Sequence, residues 1–244
     1  MNYIIEARDL SLSYNINTPR VLDSINLRIE KGSIAAFAGL SGCGKSTLAF
    51  CLCGIIPKGL PGEIEGNVLI ERKNISELSL PNLSQKIGMV FQEVDNQIFL
   101  PTVEAEIAFA PENLCYPYDE IEEIIERLLK TFNIGHLRHK NPAKLSGGEK
   151  QLVAIASVLS LNPEIIILDE VLSELDEDNK KLILDTIKII KELGKTVIII
   201  DHSIDNLMIA DTIFLMSRGK IEERIEVDNH ELLYDRLHSF FLQQ

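Results

Sequence analysis

At 244 residues and 45% hydrophobic content, the chain can bury a sizeable core as one domain, or as a domain with a subdomain, and disorder is excluded. Lys+Arg 24 against Asp+Glu 37 gives a formal charge of -13, which argues against a nucleic-acid partner. No apolar run approaches the roughly 18 residues that span a bilayer, the start MNYIIEARDL lacks the parts of a signal peptide, and Cys43, Cys51, Cys53 and Cys115 do not form a secreted disulfide framework, so a cytoplasmic chain with reduced thiols is expected.

Residues 1–30 alternate apolar and polar positions, as at Ile25, Leu27 and Ile29, which predicts an antiparallel β layer. Ile34-Ala35-Ala36-Phe37-Ala38 suits a buried parallel strand. It leads into Gly39-Leu40-Ser41-Gly42-Cys43-Gly44-Lys45-Ser46-Thr47, and residues 47–53 read as a short helix stopped by Gly54. Glycines at 39, 42 and 44 let the backbone turn its N–H groups inward around phosphates, while Lys45 neutralises phosphate charge and Ser46 offers a hydroxyl to Mg2+. A glycine-rich turn before a helix is the plain alternative; the order strand, loop, helix favours the phosphate site. Cys51 and Cys53 have no His or Cys cluster near them in sequence, which disfavours a metal site there.

From 93 to 143 the character changes. Ile121, Ile124, Ile125, Leu128, Leu129 and Phe132 recur at helical spacing, and ten acids face four bases. A helical subdomain over 93–143 is expected, inserted in a core made of residues 1–92 and 144–244, with Glu122, Glu123 and Glu126 on a solvated face. Ser146-Gly147-Gly148-Glu149 before Leu152, Val153, Ile155 and Ala156 has the form of a capping box. The same capped helix start exposes backbone donors and a positive dipole end, so it can also hold a γ-phosphate. Because the loop at 39–47 already surrounds its own phosphates, this second anion site is most useful facing another chain, with ATP held between two subunits.

Ile165-Ile166-Ile167-Leu168 reads as a second buried strand, ending in Asp169-Glu170. Asp169 can hold Mg2+ and Glu170 can orient or deprotonate an attacking water, although two acids after a strand could also simply cap the next helix. A helix over 178–193 with Leu182, Ile183, Thr186, Ile187 and Ile190 inward and Gly194 as cap precedes a third strand over 196–200 that ends in Asp201-His202. Residues 230–242, with Leu233, Leu237, Phe240 and Phe241, read as a terminal helix.

In this order the motifs resemble those of ABC-type ATPases across nearly the whole chain: 39–47 is similar to Walker A, 165–170 to Walker B and 145–151 to the signature motif. The resemblance implies an α/β P-loop NTPase fold with a mainly parallel core sheet, an antiparallel β layer and a helical subdomain. It also implies that Gln92 senses Mg2+ and the attacking water, that His202 touches the γ-phosphate, that Asp176 in Ser173-Glu174-Leu175-Asp176 lies at a dimer seam, and that Tyr14 stacks on adenine. Without it, His202 would read as structural and Tyr14 as β-layer packing. The segments 90–99, 102–104 and 109–113 resemble energy-coupling-factor importers, which take up vitamins or transition-metal ions. Val94, Glu149, Leu152 and Val171-Leu172 depart from the usual pattern at positions where Pro, Gln, Arg and Pro-Thr are common. The implied assembly is a homodimer, or a heterodimer with a second ABC ATPase, peripheral on the cytoplasmic face of the membrane. Integral membrane subunits would dock near the Gln92 loop, with Asp95, Glu104 and Glu106 expected to receive basic helices. Rivals are another ABC transport system, a soluble ABC ATPase of cluster assembly, repair or translation, and a nucleotide clamp that does not hydrolyse.

Overall fold

The computed structural model describes residues 2–15, 18–173, 175–227 and 230–242. Alternation over the first thirty residues produces β1 (Tyr3–Ser13) and β2 (Leu22–Glu30), paired antiparallel and burying Ile25, Leu27 and Ile29 on one face. β3 (Ile34–Ala38) is buried along its whole length and is followed by α1 (Lys45–Leu52) and the short α2 (Ile55–Lys58). The helix thus begins at Lys45, two residues before the expected start. β4 (Glu63–Ile70) pairs with the other edge of β1, and β5 (Lys73–Asn74) completes a four-stranded layer in the order β2-β1-β4-β5. α3 (Leu80–Ser84) and β6 (Ile87–Val90) bring the chain back to the second sheet.

The helical region follows. α4 (Val103–Asn113) is capped by Thr102, and α5 (Tyr118–Thr131) buries Ile121, Ile124, Ile125, Leu128 and Leu129 at the expected spacing. α6 (Gly147–Leu159) buries Gly148, the run from Gln151 to Ala156 and Leu159. β7 (Ile165–Asp169), α7 (Glu177–Glu192), β8 (Thr196–Asp201), α8 (Ile204–Leu207), β9 (Thr212–Ser217), β10 (Lys220–Glu226) and α9 (His230–Leu242) complete the chain. On α7 the inward residues are Ile183, Thr186, Ile187 and Ile190, whereas Leu182, read as part of that face, is exposed. Gly194 ends α7 with a positive φ and donates its N–H to the Lys191 carbonyl. Leu233 and Leu237 of α9 are packed into the core.

The second sheet runs β10-β9-β3-β8-β7-β6, all pairs parallel except β10 on β9. Both faces of its interior strands β3, β7, β8 and β9 are covered, which is why those strands are apolar without alternation, unlike the edge strand β10. Ile34, Ala36, Ala38, Ile166, Leu168, Val197 and Ile199 face the cluster shared with α4 to α7, while Ala35, Phe37, Ile165, Ile167, Ile198 and Ile200 face α1 and the antiparallel layer. Each fully buried Ile or Phe contributes about 1.5–3 kcal/mol of transfer free energy. The strand ends are therefore rigid platforms, and because the strands are parallel, Gly39, Gln92, Glu170 and His202 all emerge at their carboxyl ends.

Two expectations about the acidic region need correction. Glu106 is only 2% exposed and accepts the Leu100 N–H, and burial pushes its carboxyl up, so it lies out of reach of a partner. Glu104 is bound by Arg138 at 2.7 Å and by His139 at 3.3 Å. Arg138 also holds Glu122 at 2.6 Å and Glu126; Glu123 and Glu126 are exposed as read, while Glu122 is half-buried in this network between α4 and α5. Among the described residues, no helix is long and apolar enough to cross a membrane.

Candidate nucleotide site

After β3, Gly39 is buried and Leu40, Ser41 and Gly42 are exposed at the loop crest. Gly44, at φ 108°, caps α1 in a left-handed conformation without a side-chain bond, which leaves the first-turn N–H groups to a ligand. Lys45 is 4% exposed, and its ammonium donates to the carbonyls of Gly39 at 2.8 Å and Leu40 at 3.0 Å, so it is folded over its own loop. Cys43 takes part through its backbone: its N–H donates to Leu40 and its carbonyl accepts from Gly219, while burial pushes its thiol up. The Tyr14 hydroxyl lies 3.1 Å from Thr47 Oγ1 and the Tyr14 side chain is exposed, at the side of the loop. Cys51 and Cys53 lie inside α1 and at its end, buried among apolar side chains, and burial pushes the Cys51 thiol up to about 12.

Asp169 is 3% exposed and its Oδ1 has no hydrogen-bond partner. Burial raises its carboxyl to about 6, against the Ser46 hydroxyl that bonds it and the Lys45 charge, and with the Glu170 charge acting in the same direction as burial. An unpaired buried carboxylate oxygen beside a hydroxyl fits a hard divalent cation with oxygen ligands. Glu170 follows at φ 50°, an uncommon conformation for a side chain-bearing residue, with its N–H fixed on the Ile200 carbonyl at 2.9 Å. Gln92 Nε2 donates to Glu170 Oε2 at 3.2 Å, and His202 Nδ1 lies 3.8 Å from the same oxygen. Three residues predicted from three separate strand ends therefore meet at one carboxylate.

Two supporting residues went unrecognised. Asp201, 1% exposed, accepts from the N–H groups of His202 at 2.7 Å and Ser203 at 2.8 Å and from Asn206 at 2.9 Å, which fixes the turn that presents His202. Gln97 braces the Gln92 loop by donating to the Met89 carbonyl and accepting from Phe91, each at 3.0 Å. The Asp-x-Ser sequence after a strand is an Asx-turn signal that could have revealed the first; the second had none.

Ser146, Gly147, Gly148 and Asp176 form a separate cluster. The capping box is complete: Ser146 N–H donates to Glu149 at 2.8 Å and Glu149 N–H to Ser146 Oγ at 3.3 Å, which holds the Glu149 carboxyl below its ordinary range. Ser146 and Gly147 are exposed. Gly148 is buried against α7, where a Cβ would come within 2.0 Å of Asn179 Oδ1. Asn179 in turn is bound through its N–H and its amide to Asp176, the cap of α7. Glu174 of the Ser173 to Asp176 segment lies outside the described residues. Among the described residues, no hydrogen bond joins this cluster to the 39–47 loop.

Residues 22–173 match the ABC transporter family. The chain belongs to that family. This ABC transporter family member is 39% identical to the Methanosarcina acetivorans energy-coupling factor transporter ATP-binding protein EcfA, over 89% of this chain and 78% of that one. A Methanosarcina mazei relative, provisionally named as an ABC transporter ATP-binding protein, is 38% identical over 90% of this chain, which spans only 44% of that relative's length. Among solved structures, cbiO1 from Clostridium perfringens, part of the ABC transporter complex cbiONQ, superposes with a TM-score of 0.85 at 33% identity, covering 98% of this chain and 93% of that one. A dimeric post-hydrolysis state of an ATP-binding cassette bound to ADP and Pi superposes with a TM-score of 0.77 at 27% identity, covering 92% and 99%. The α/β P-loop fold expected from the motifs is the fold of this family member.

Proposed function

We propose that this ABC ATPase hydrolyses ATP to drive an energy-coupling-factor type importer for a vitamin or a transition-metal ion. The observation that carries the hydrolytic reading is the convergence of Gln92 and His202 on Glu170, next to the buried and unpartnered Asp169 oxygen. Ser41, Gly42, Cys43, Gly44, Lys45, Ser46 and Thr47 bind the phosphates and Tyr14 takes the base. Ser46, Asp169 and Gln92 would hold Mg2+. When bound, the ion supplies charge neutralisation for the phosphate oxygens. Lys45 must leave the Gly39 and Leu40 carbonyls to meet the β/γ-phosphates. Glu170 accepts a proton from water as the water oxygen bonds to the γ-phosphorus and the bond to the leaving ADP oxygen breaks; Gln92 and His202 orient that carboxylate and the γ-phosphate.

The exposed Ser146-Gly147 tip and Asp176 complete the site of a second chain, in a homodimer or with a similar ATPase. Support comes from the absence, among the described residues, of any hydrogen bond between the Ser146–Gly148 tip and the 39–47 loop, and from the dimeric state of the neighbour bound to ADP and Pi. Membrane subunits would dock beside the Gln92 loop, keeping the chain peripheral at the cytoplasmic face. An apolar groove of about 320 Å3 lined by Leu80, Phe91, Ala110 and Val158 supports this, as do the exposed rings of Phe99 and Phe109 in edge-to-face contact. The importer type rests on the likeness to EcfA and cbiO1 and on the 90–113 segment.

Glu170→Gln is the decisive variant. With Mg-ATP it should form a stable dimer by light scattering and lose turnover by about 10²-fold or more. Turnover equal to that of the parent protein would remove Glu170 from the mechanism. Co-purification with integral membrane proteins in detergent tests the transport reading, and a purely soluble partner set would defeat it.

A further inference from the structure

The Gln92 loop and the serine-glycine tip serve different nucleotides in the proposed dimer, yet they touch within one chain. Asp95 lies in the short turn Val94–Asn96, three residues beyond Gln92, and its Oδ1 accepts from Lys150 Nζ at 2.6 Å. Lys150 belongs to the first turn of α6: its N–H donates to the Ser146 carbonyl at 2.9 Å, so the residue that grips Asp95 also closes the turn that presents the tip. The remaining ties of the loop run elsewhere. Gln97 binds it to β6, and Glu106 of α4 receives Leu100. The Asp95–Lys150 pair is thus the charged contact by which the loop reaches α6.

The pair is poorly suited to a stabilising role. The Asp95 side chain is 74% exposed and that of Lys150 18%, and ion pairs of this kind contribute little to folding. Its position gives it a different use. Gln92 bonds the carboxylate that would activate water, so a displacement of the loop by nucleotide or by a membrane subunit pulls on Lys150, and through it on the Ser146 turn.

We propose that Asp95 and Lys150 form a positioning pair that sets the serine-glycine tip relative to the Gln92 loop, so that the state of one nucleotide site governs how well the tip engages the nucleotide of the partner chain. This rests on the two-chain reading of the tip given above. Neither residue touches substrate in this assignment, and neither is placed in the hydrolytic machinery.

The test uses Asp95→Lys, Lys150→Asp and the double exchange, each in the Glu170→Gln background, with ATP-driven dimerisation followed by light scattering and folding by thermal melts. Each single reversal should raise the ATP concentration for half-maximal dimerisation about threefold or more, and the double exchange should return it to within about twofold of the parent. The melting temperatures should stay within a few degrees of the parent. The difference should shrink as salt is raised. Asp95→Asn and Lys150→Gln, which cannot introduce repulsion, should shift the midpoint in the same direction by a smaller factor. Unchanged midpoints in the reversals, or a double exchange no better than the singles, would overturn the pair's role while leaving the two-chain site standing. Failure of the Glu170→Gln parent itself to dimerise with ATP would overturn the two-chain site, and the inference with it.

Discussion

Asp169 illustrates how a single side chain carries a cost that its ligand removes. Its carboxyl is raised from 3.8 to about 6 chiefly by burial. Between those two values the folded protein binds more protons than the unfolded chain, so folding stability attributable to this group is full below pH 3.8 and falls as pH rises through about 6. Asp169→Asn should therefore raise the stability of nucleotide-free and metal-free protein at pH 7 to 8 by up to about 3 kcal/mol, with the gap to the parent closing below about pH 4. Urea melts across that range measure it; an equal gap at both ends would contradict the assignment. Much of this site was legible residue by residue, because Gly39 to Thr47 and the two carboxylates after Leu168 are short patterns whose chemistry depends on neighbours in sequence. What was not legible depends on neighbours in space. Glu106 reads as a surface acid by residue type, yet it is buried because the loop at 99–100 needs an acceptor for its N–H groups. Asp201 reads only as the end of a strand until its three donors are seen.

Arg138 does for the helices what Asp201 does for one turn. Its guanidinium holds Glu104 of α4 and Glu122 and Glu126 of α5, and those carboxylates push its own pKa upward. The backbone follows the same route: Val103 N–H donates to Lys140 and Glu104 N–H to Arg138, so the strand of chain leading to the serine-glycine tip covers the start of α4. Arg138→Met keeps the aliphatic volume and leaves three acids without a counter-charge, and should cost about 1–2 kcal/mol. Hydrogen exchange should quicken in α4 and α5 while amides of β3, β7 and β8 keep their protection; uniform change across the molecule would show that the network is not local. Apolar runs and helical spacing made β3, β7, β8, α5 and α7 readable. β4 and β10 carry no continuous apolar run: β4 has a glycine and two exposed glutamates, β10 is mostly charged, and β4 pairs with β1, some sixty residues earlier. A turn signal lay at Arg218-Gly219, both at positive φ between β9 and β10, but arginine is an unusual residue for that conformation.

At the level of the molecule, completeness is the issue. If each nucleotide takes Lys45 from one chain and Ser146 from the other, Lys45→Ala and Ser146→Arg proteins should each be inactive alone. Their mixed dimers hold one intact site, so mixing should restore part of the ATPase activity, and a mixture as inactive as its parts would argue for sites contained in single chains.

The contact of Gly148 with Asn179, and of Asn179 with Asp176, has a consequence for timing. The starts of α6 and α7 are interlocked, and six residues separate Asp176 from Asp169 at the end of β7. If each chain grasps its mate's nucleotide as proposed, a shift of that grip would be passed through Asn179 and Asp176 toward the segment that follows Glu170. Two such chains in register would fire in relation to one another, as a coupled pair of engines rather than two idling separately.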